Sequence, residues 1–231
     1  MAEIPVFVGF TKETVRFFHG LRRNNTREWF TAHRAMYDEH VMGPAKAFVV
    51  AMGRRLRAAV PGIIAVPLIN KSIFRINRDT RFSLDPSPYK TNLGLYFWEG
   101  KKKRMESPGF YFHLEPPDLF LGGGFYMVPD RLLSRFRRAV VDPRLGEELR
   151  AVLAALAGRK EYEVGGTHYK RVPAGYDPRH PNAEVLKHNG LYAGIEMKIP
   201  AEFFTSALVD FCFERYEPIV PLHRWLMKID R

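Results

Sequence analysis

Between Ser72 and Thr91 the chain reads SIFRINRDTRFSLDPSPYKT. It places Arg75, Arg78, Arg81 and Lys90 among the apolar residues Ile73, Phe74, Ile76 and Phe82, with acids only at Asp79 and Asp85. Guanidinium forks offer paired donors in a plane, and an ammonium adds a compact charge. Together they suit a phosphate or a carboxylate. In an extended segment, alternation puts Ile73, Arg75 and Asn77 on one side and Phe74 and Ile76 on the other. Arg78, Asp79 and Arg81 follow at the strand end, where ligand-contacting loops lie. Asp85-Pro86-Ser87-Pro88 is stiff, because each proline fixes its own φ and restricts the residue before it. That stiffness holds Tyr89 and Lys90 in place at low entropic cost. The pattern predicts an anion clamp of Arg75, Arg78, Arg81 and Lys90, oriented by Asp79, with Arg75 and Arg78 reaching one cavity. The competing expectation is a structural network in which Asp79 and Asp85 anchor the arginines.

A second polar stretch, KRVPAGYDPRHP, brings Lys170, Arg171, Arg179 and His180, with a hydroxyl at Tyr176 and a carboxylate at Asp177. Long polar segments in compact domains are often functional. Like charges repel in a low-dielectric site unless an anion holds them. Lys170 or Arg171 is therefore expected beside the Arg75–Lys90 region, completing the ligand-binding pocket. The alternative is an ordered loop with Gly175 in a turn and Asp177 capping it. If the protein is an enzyme, stabilisation of charge by the cations is the largest effect available, and Asp79 or Asp177 is the general-base candidate. No catalytic residue is otherwise assigned.

Other constellations point to packing. In RRNNTREWF, Asn24 and Asn25 are expected to cap a helix and Trp29 to fill the core. The eight histidines form no metal-ligand spacing; His33 and His40 stand seven apart without matching carboxylates. No metal or cofactor is expected. Gly122–Gly124 lack the G-x-G-x-x-G order and sit in strand-like sequence, which suggests a bulge or a close backbone approach. No G-x-S-x-G, Walker A or paired-carboxylate motif is present.

The elements that must position these residues follow from periodicity. Thr11 caps a short helix over TKETVRFFHGL. Asn25 and Glu28 have capping-box spacing for a second helix carrying Trp29, His33, Met36, Tyr37 and His40. Pro44 opens a third, with Ala45, Phe48, Val49, Met52, Leu56 and Val60 buried. KSIFRIN, TNLGLYFW, GFYFHLEP, DLFLGGGFYM and LYAGIEMKI read as strands. Helices follow at Pro129, over DPRLGEELRAVLAALAG, over PNAEVLKHNG as far as Gly190, at Pro200 and after Pro218. The prediction is a single α+β domain over residues 1–231, an antiparallel sheet of about five strands flanked by helices.

Composition agrees with one soluble domain. The 231 residues are 46% hydrophobic and 13% aromatic, enough for a sizeable core. Cys212, the single cysteine, excludes an intrachain disulfide, fits a reducing cytoplasm and lies in an apolar helical stretch that buries it. No signal-peptide pattern and no apolar run long enough for a membrane span is read. The net charge of +11 attracts nucleic acid, phosphorylated metabolites or acidic proteins.

The stretches FVGFTKETVRFFHGLRRNNTREWF, KSIFRINRDTRFSLDPSPYKTNLGLYFW, SPGFYFHLEP with LFLGGGFYM, and KRVPAGYDPRHPNAEVLKHNGL together resemble the domain-of-unknown-function 2461 family, widespread in bacteria. The resemblance spans nearly the whole chain. It implies a single globular domain, usually cytoplasmic, with no established activity and no catalytic residue to carry over. The leading expectation is thus a pocket for an anionic, phosphate-bearing small molecule. A nucleic-acid module using the same cations plus Lys101, Lys102, Lys103 and Arg104 is the alternative. A protein-interaction domain with purely structural arginines is the third. The oligomeric state is not set by the sequence.

Overall fold

Thr11 caps α1 (Lys12–Arg23) in a reciprocal box with Thr14, each side chain meeting the other's backbone N–H. The computed structural model describes residues 4–81, 83–100 and 104–230. The next cap falls one residue later than expected. Thr26 accepts from the Trp29 N–H at 3.2 Å and opens α2 (Arg27–Ala32). Asn25 is diverted: its Nδ2 donates to the Tyr89 carbonyl at 2.8 Å, and its Oδ1 accepts from the Tyr89 N–H at 3.1 Å.

The helix expected through His40 is also interrupted. After α3 (Arg34–Tyr37), residues Asp38–Met42 form a π-turn, and α4 (Gly43–Leu56) continues with Pro44 in its first turn. The widened turn leaves the His40 carbonyl to a side-chain donor, the Thr14 hydroxyl at 2.6 Å. Trp29 stays half-buried, stacked on the His33 ring at 3.9 Å rather than filling the core. In α4 the stripe Ala45, Phe48, Val49, Met52 and Leu56 is buried as its spacing requires.

The sheet has six antiparallel strands rather than about five: β1 (Ile63–Ile64), β2 (Leu93–Glu99), β3 (Gly109–Glu115), β4 (Asp118–Phe125), β5 (Glu163–Thr167) and β6 (His188–Lys198), in the order β1-β2-β3-β4-β6-β5. Two edge strands, β1 and β5, were not expected, while the expected strand KSIFRIN forms only isolated bridges; β5 reads EVGGT. Its two glycines and polar ends hide it from pattern reading, yet Glu163 and Val164 pair with Gly194 and Ala193 of β6. The expected helix over PNAEVLKHNG shortens to α7 (Ala183–Leu186), and Gly190 belongs to β6 instead of stopping a helix. A Cβ on Gly190 would lie 2.2 Å from the Tyr126 carbonyl oxygen, so this glycine permits a close backbone approach.

The remaining helices are α5 (Asp130–Val141), α6 (Pro143–Ala157, capped by Asp142 as its Oδ1 accepts from the Leu145 N–H at 2.7 Å), α8 (Leu208–Tyr216) and α9 (Val220–Asp230). Among the described residues no helix is long and apolar enough to cross a membrane. Cys212 is buried in α8.

The chain divides into two compact units. The first comprises residues up to Phe97, Tyr111–Leu121 and Glu196–Glu214; the second comprises Trp98–Phe110, Gly122–Ile195 and the residues from Arg215 onward. Aromatic rings fill the first. Phe10 stacks on Phe203 at 4.8 Å and on Phe112 at 6.0 Å, and Phe48 meets Phe112 at 5.0 Å. In the second, the buried Asn182 amide donates to the Val140 and Gly146 carbonyls at 2.7 and 2.9 Å, tying α5 to α6. The buried His223 meets Glu99 through Nε2 at 2.8 Å and stacks on Phe110. Because Phe48 is fully buried among rings, Phe48→Ala should cost about 3–5 kcal/mol, read as a lower urea midpoint at unchanged m-value.

Candidate functional site

Residues 72–78 are extended and run antiparallel to residues 88–96. Phe74 N–H donates to the Gly94 carbonyl (3.0 Å), Lys90 N–H to Ile76 (2.8 Å) and Arg78 N–H to Pro88 (2.9 Å). The bridges Ile73↔Leu95 and Asn77↔Tyr89 mark two separate contacts rather than one continuous strand. The chain bends at Ile76 as it passes from one partner to the next, so strict alternation fails: Ile73 and Ile76 are both buried, while Arg75 and Asn77 are exposed as expected. Residues 79–81 and 83–87 belong to the tip of this irregular hairpin.

The arginine forks at the tip close on its own acids. Arg81 grips Asp79 at two points, Nε to Oδ1 at 2.9 Å and Nη2 to Oδ2 at 2.7 Å. Arg78 pairs with Asp85 through Nη1 and donates to Ser83 Oγ through Nη2 at 3.2 Å. Asp85 also accepts from the Ser87 N–H at 2.9 Å. These contacts hold the Asp85 carboxyl well below the ordinary carboxylate range, Ser87 contributing most and Arg78 next. The Asp79 carboxyl is held at about 2, first by the Arg81 side chain and then by the Arg81 N–H, with a smaller effect from the charge of Arg75. The Lys90 Nζ lies 5.5 Å from the centre of the Phe74 ring. Phe82 and Lys101–Lys103 lie outside the described residues; Arg104 opens a short 3-10 turn, Arg104–Glu106.

Lys170 and Arg171 belong to the second unit, where both are exposed. They follow Tyr169, over whose ring the Arg137 guanidinium sits at 5.1 Å. Downstream, Gly175 has φ of 87° and the Asp177 carboxylate accepts from the Arg179 N–H at 2.9 Å, so Asp177 stitches its own turn. Among the described residues, no three His, Cys, Asp or Glu side chains gather to hold a metal.

The first unit also carries a constellation that pattern reading passed over. Along β3, Phe110, Phe112 and Leu114 are buried while Tyr111, His113 and Glu115 are half-buried on the opposite face. These three form a chain of hydrogen bonds. The Tyr111 hydroxyl lies 2.8 Å from His113 Nδ1, and His113 Nε2 lies 3.4 Å from Glu115 Oε2. Glu115 Oε1 accepts from Thr91 Oγ1 at 3.1 Å and from Arg22 at 3.2 Å. With Nε2 donating to the carboxylate, Nδ1 is the acceptor for the phenol. Phe74 packs edge-on against the Tyr111 ring at 5.9 Å. Gly94 leaves the phenol its room: a Cβ there would lie 2.9 Å from the hydroxyl oxygen. The legible signal was the period of two in GFYFHLE, which separates three ionisable or hydroxyl side chains from three apolar ones; weighing His113 only for metal-ligand spacing, which it lacks, missed it.

The geometry of Asp79 gives a direct test. Its folded value, about 2, lies below the ordinary 3.8, so the ionised form is favoured by folding. That contribution is present above about pH 4 and is lost as pH falls through about 2. A carboxyl NMR titration should place the Asp79 midpoint near 2, and Arg81→Ala should move it back toward 3.8. A midpoint unmoved by Arg81→Ala would remove the two-point grip as its cause.

No curated protein matches the chain in sequence. A family profile described as "Conserved hypothetical protein (DUF2461)" matches residues 13–225, and the chain belongs to that family.

Proposed function

We propose that the protein binds an anionic, phosphate-bearing small molecule on the face of the first unit's sheet that carries Tyr111, His113 and Glu115. The observation that carries this reading is the direction of Lys90. Its ammonium stands 5.5 Å from the Phe74 ring, and that ring abuts Tyr111. A cation is thus held beside a half-buried row of hydrogen-bonding side chains, with Arg22 at the row's other end on Glu115. Arg75, exposed on the same hairpin, adds positive potential. Arg78, Arg81, Asp79 and Asp85 serve the site by fixing the hairpin tip. Their forks are engaged with one another, so they shape the loop that carries Arg75 and Lys90.

Thermal denaturation in phosphate against chloride at matched ionic strength tests the proposal. Phosphate at about 100 times its Kd should add about 2.7 kcal/mol, which for a domain of this size raises Tm by roughly 5–10 °C. Lys90→Ala should remove most of that rise, Arg75→Ala a smaller part, and Arg81→Ala little. An equal rise in the wild type and in Lys90→Ala, or no rise in either, overturns the reading. Stabilisation by a single-stranded oligonucleotide that exceeds phosphate and falls steeply with salt would put the nucleic-acid module in its place.

A further inference from the structure

We propose that Tyr111 is an acid–base residue of a catalytic site, with His113 as its proton acceptor and Glu115 holding the imidazole, and that the substrate carries an anionic group beside the proton to be moved. The substrate class rests on the anion-binding reading; the reactivity of Tyr111 does not. The arrangement has the logic of a nucleophile, a base and an orienting carboxylate in one line. The phenol donates to Nδ1 at 2.8 Å, and Nε2 faces Glu115 Oε2 at 3.4 Å. Glu115 is in turn held by Thr91 and Arg22 on its other oxygen. The carboxylate therefore fixes both the tautomer and the tilt of the ring before any ligand arrives.

Three features separate this row from an ordinary surface network. All three side chains come from one strand at alternate positions, so the rigid sheet sets their spacing. The phenol oxygen sits over Gly94, where any side chain would collide with it. Rings border it: Phe74 at 5.9 Å, Phe120 at 6.4 Å and Tyr96 at 6.5 Å from the Tyr111 ring. Such walls lower the local dielectric and strengthen each hydrogen bond in the line. In the forward direction, a substrate proton passes to the Tyr111 oxygen as the phenol proton passes to His113 Nδ1. The substrate keeps the electron pair of its broken bond to hydrogen, and the imidazolium is stabilised by Glu115. The reverse direction delivers a proton to a basic substrate atom. No oxidant, metal or further reactant is needed.

An arylsulfonyl fluoride reads the phenol without knowledge of the substrate. The phenol oxygen bonds to sulfur, fluoride leaves, and the phenol proton goes to His113. The intact chain is treated with benzenesulfonyl fluoride and each tyrosine's labelling rate is followed by peptide mass spectrometry. Tyr126, which is 72% exposed, is the internal reference. Although half-buried, Tyr111 should label at least about tenfold faster than Tyr126, a floor set below the factor of about 10²–10⁴ that a positioned base contributes because burial slows the probe's approach. His113→Asn keeps an acceptor near the phenol but lacks the basicity, and should bring Tyr111 to the Tyr126 rate or below; Glu115→Gln should give an intermediate loss. Tyr111 labelling no faster than Tyr126, or a ratio unchanged in His113→Asn, overturns the catalytic assignment. The charged analogue para-fluorosulfonylbenzoate tests the substrate class. It should label Tyr111 faster than the neutral probe does, with a gain that Lys90→Ala removes and inorganic phosphate suppresses. If the charged probe gains nothing while the neutral probe behaves as expected, the anionic substrate is overturned and the acid–base residue stands.

Discussion

Strand β3 must satisfy two environments at once. Phe110, Phe112 and Leu114 enter aromatic packing, and the pleat then commits Tyr111, His113 and Glu115 to the other face. Burial of the phenyl rings supplies the free energy; the polar row comes into line as a geometric consequence. Its separation of two residues per step suits a hydrogen-bonded series of side chains, since successive same-face positions stand close enough for a phenol, an imidazole and a carboxylate to touch in order. The apolar packing of one face thus sets the spacing of the polar row on the other. That coupling explains why the neighbouring strand has glycine at position 94, where bulk would displace the phenol.

Charge on the hairpin is distributed by a similar economy of position. Donors on Arg78 and Arg81 are matched to Asp85 and Asp79 within a few residues, so the tip holds its shape through local contacts. Lys90 lies just beyond the prolines, near the sheet, and its ammonium stands 5.5 Å from the centre of the Phe74 ring. A dense cationic stretch therefore contains residues of two kinds: those that pair with acids inside the loop and one whose ammonium lies against a ring beside the polar row. In sequence the two kinds look alike.

Much of the fold was legible because burial follows period. The stripe of α4, the cap at Thr11 and the alternation in β3 are local patterns that the tertiary structure keeps. Where reading failed, a contact distant in sequence had won. Asn25 has the side chain and spacing of a cap, but its amide is taken by Tyr89 and Thr26 caps instead. The π-turn at Asp38–Met42 goes with a hydroxyl from α1, which no local window contains. β5 forms because β6 supplies a partner, although its glycines disfavour a strand on their own. For the site, residue type was visible and direction was not. The arginines were seen as donors, but whether a fork points to a ligand or to the acid two residues away depends on the turn. The Tyr111 row was present as plain alternation, and attention to cations passed it by.

The pair of bonds from Asn25 to both the N–H and the carbonyl of Tyr89 has a mechanical meaning. One side chain occupies the whole hydrogen-bonding capacity of one peptide residue, as a neighbouring strand would. The foot of the hairpin therefore cannot slide by a residue without breaking both bonds together. Lys90, the next residue, also donates its own N–H to the Ile76 carbonyl at 2.8 Å, so the register of the hairpin on both sides fixes where its side chain leaves the backbone.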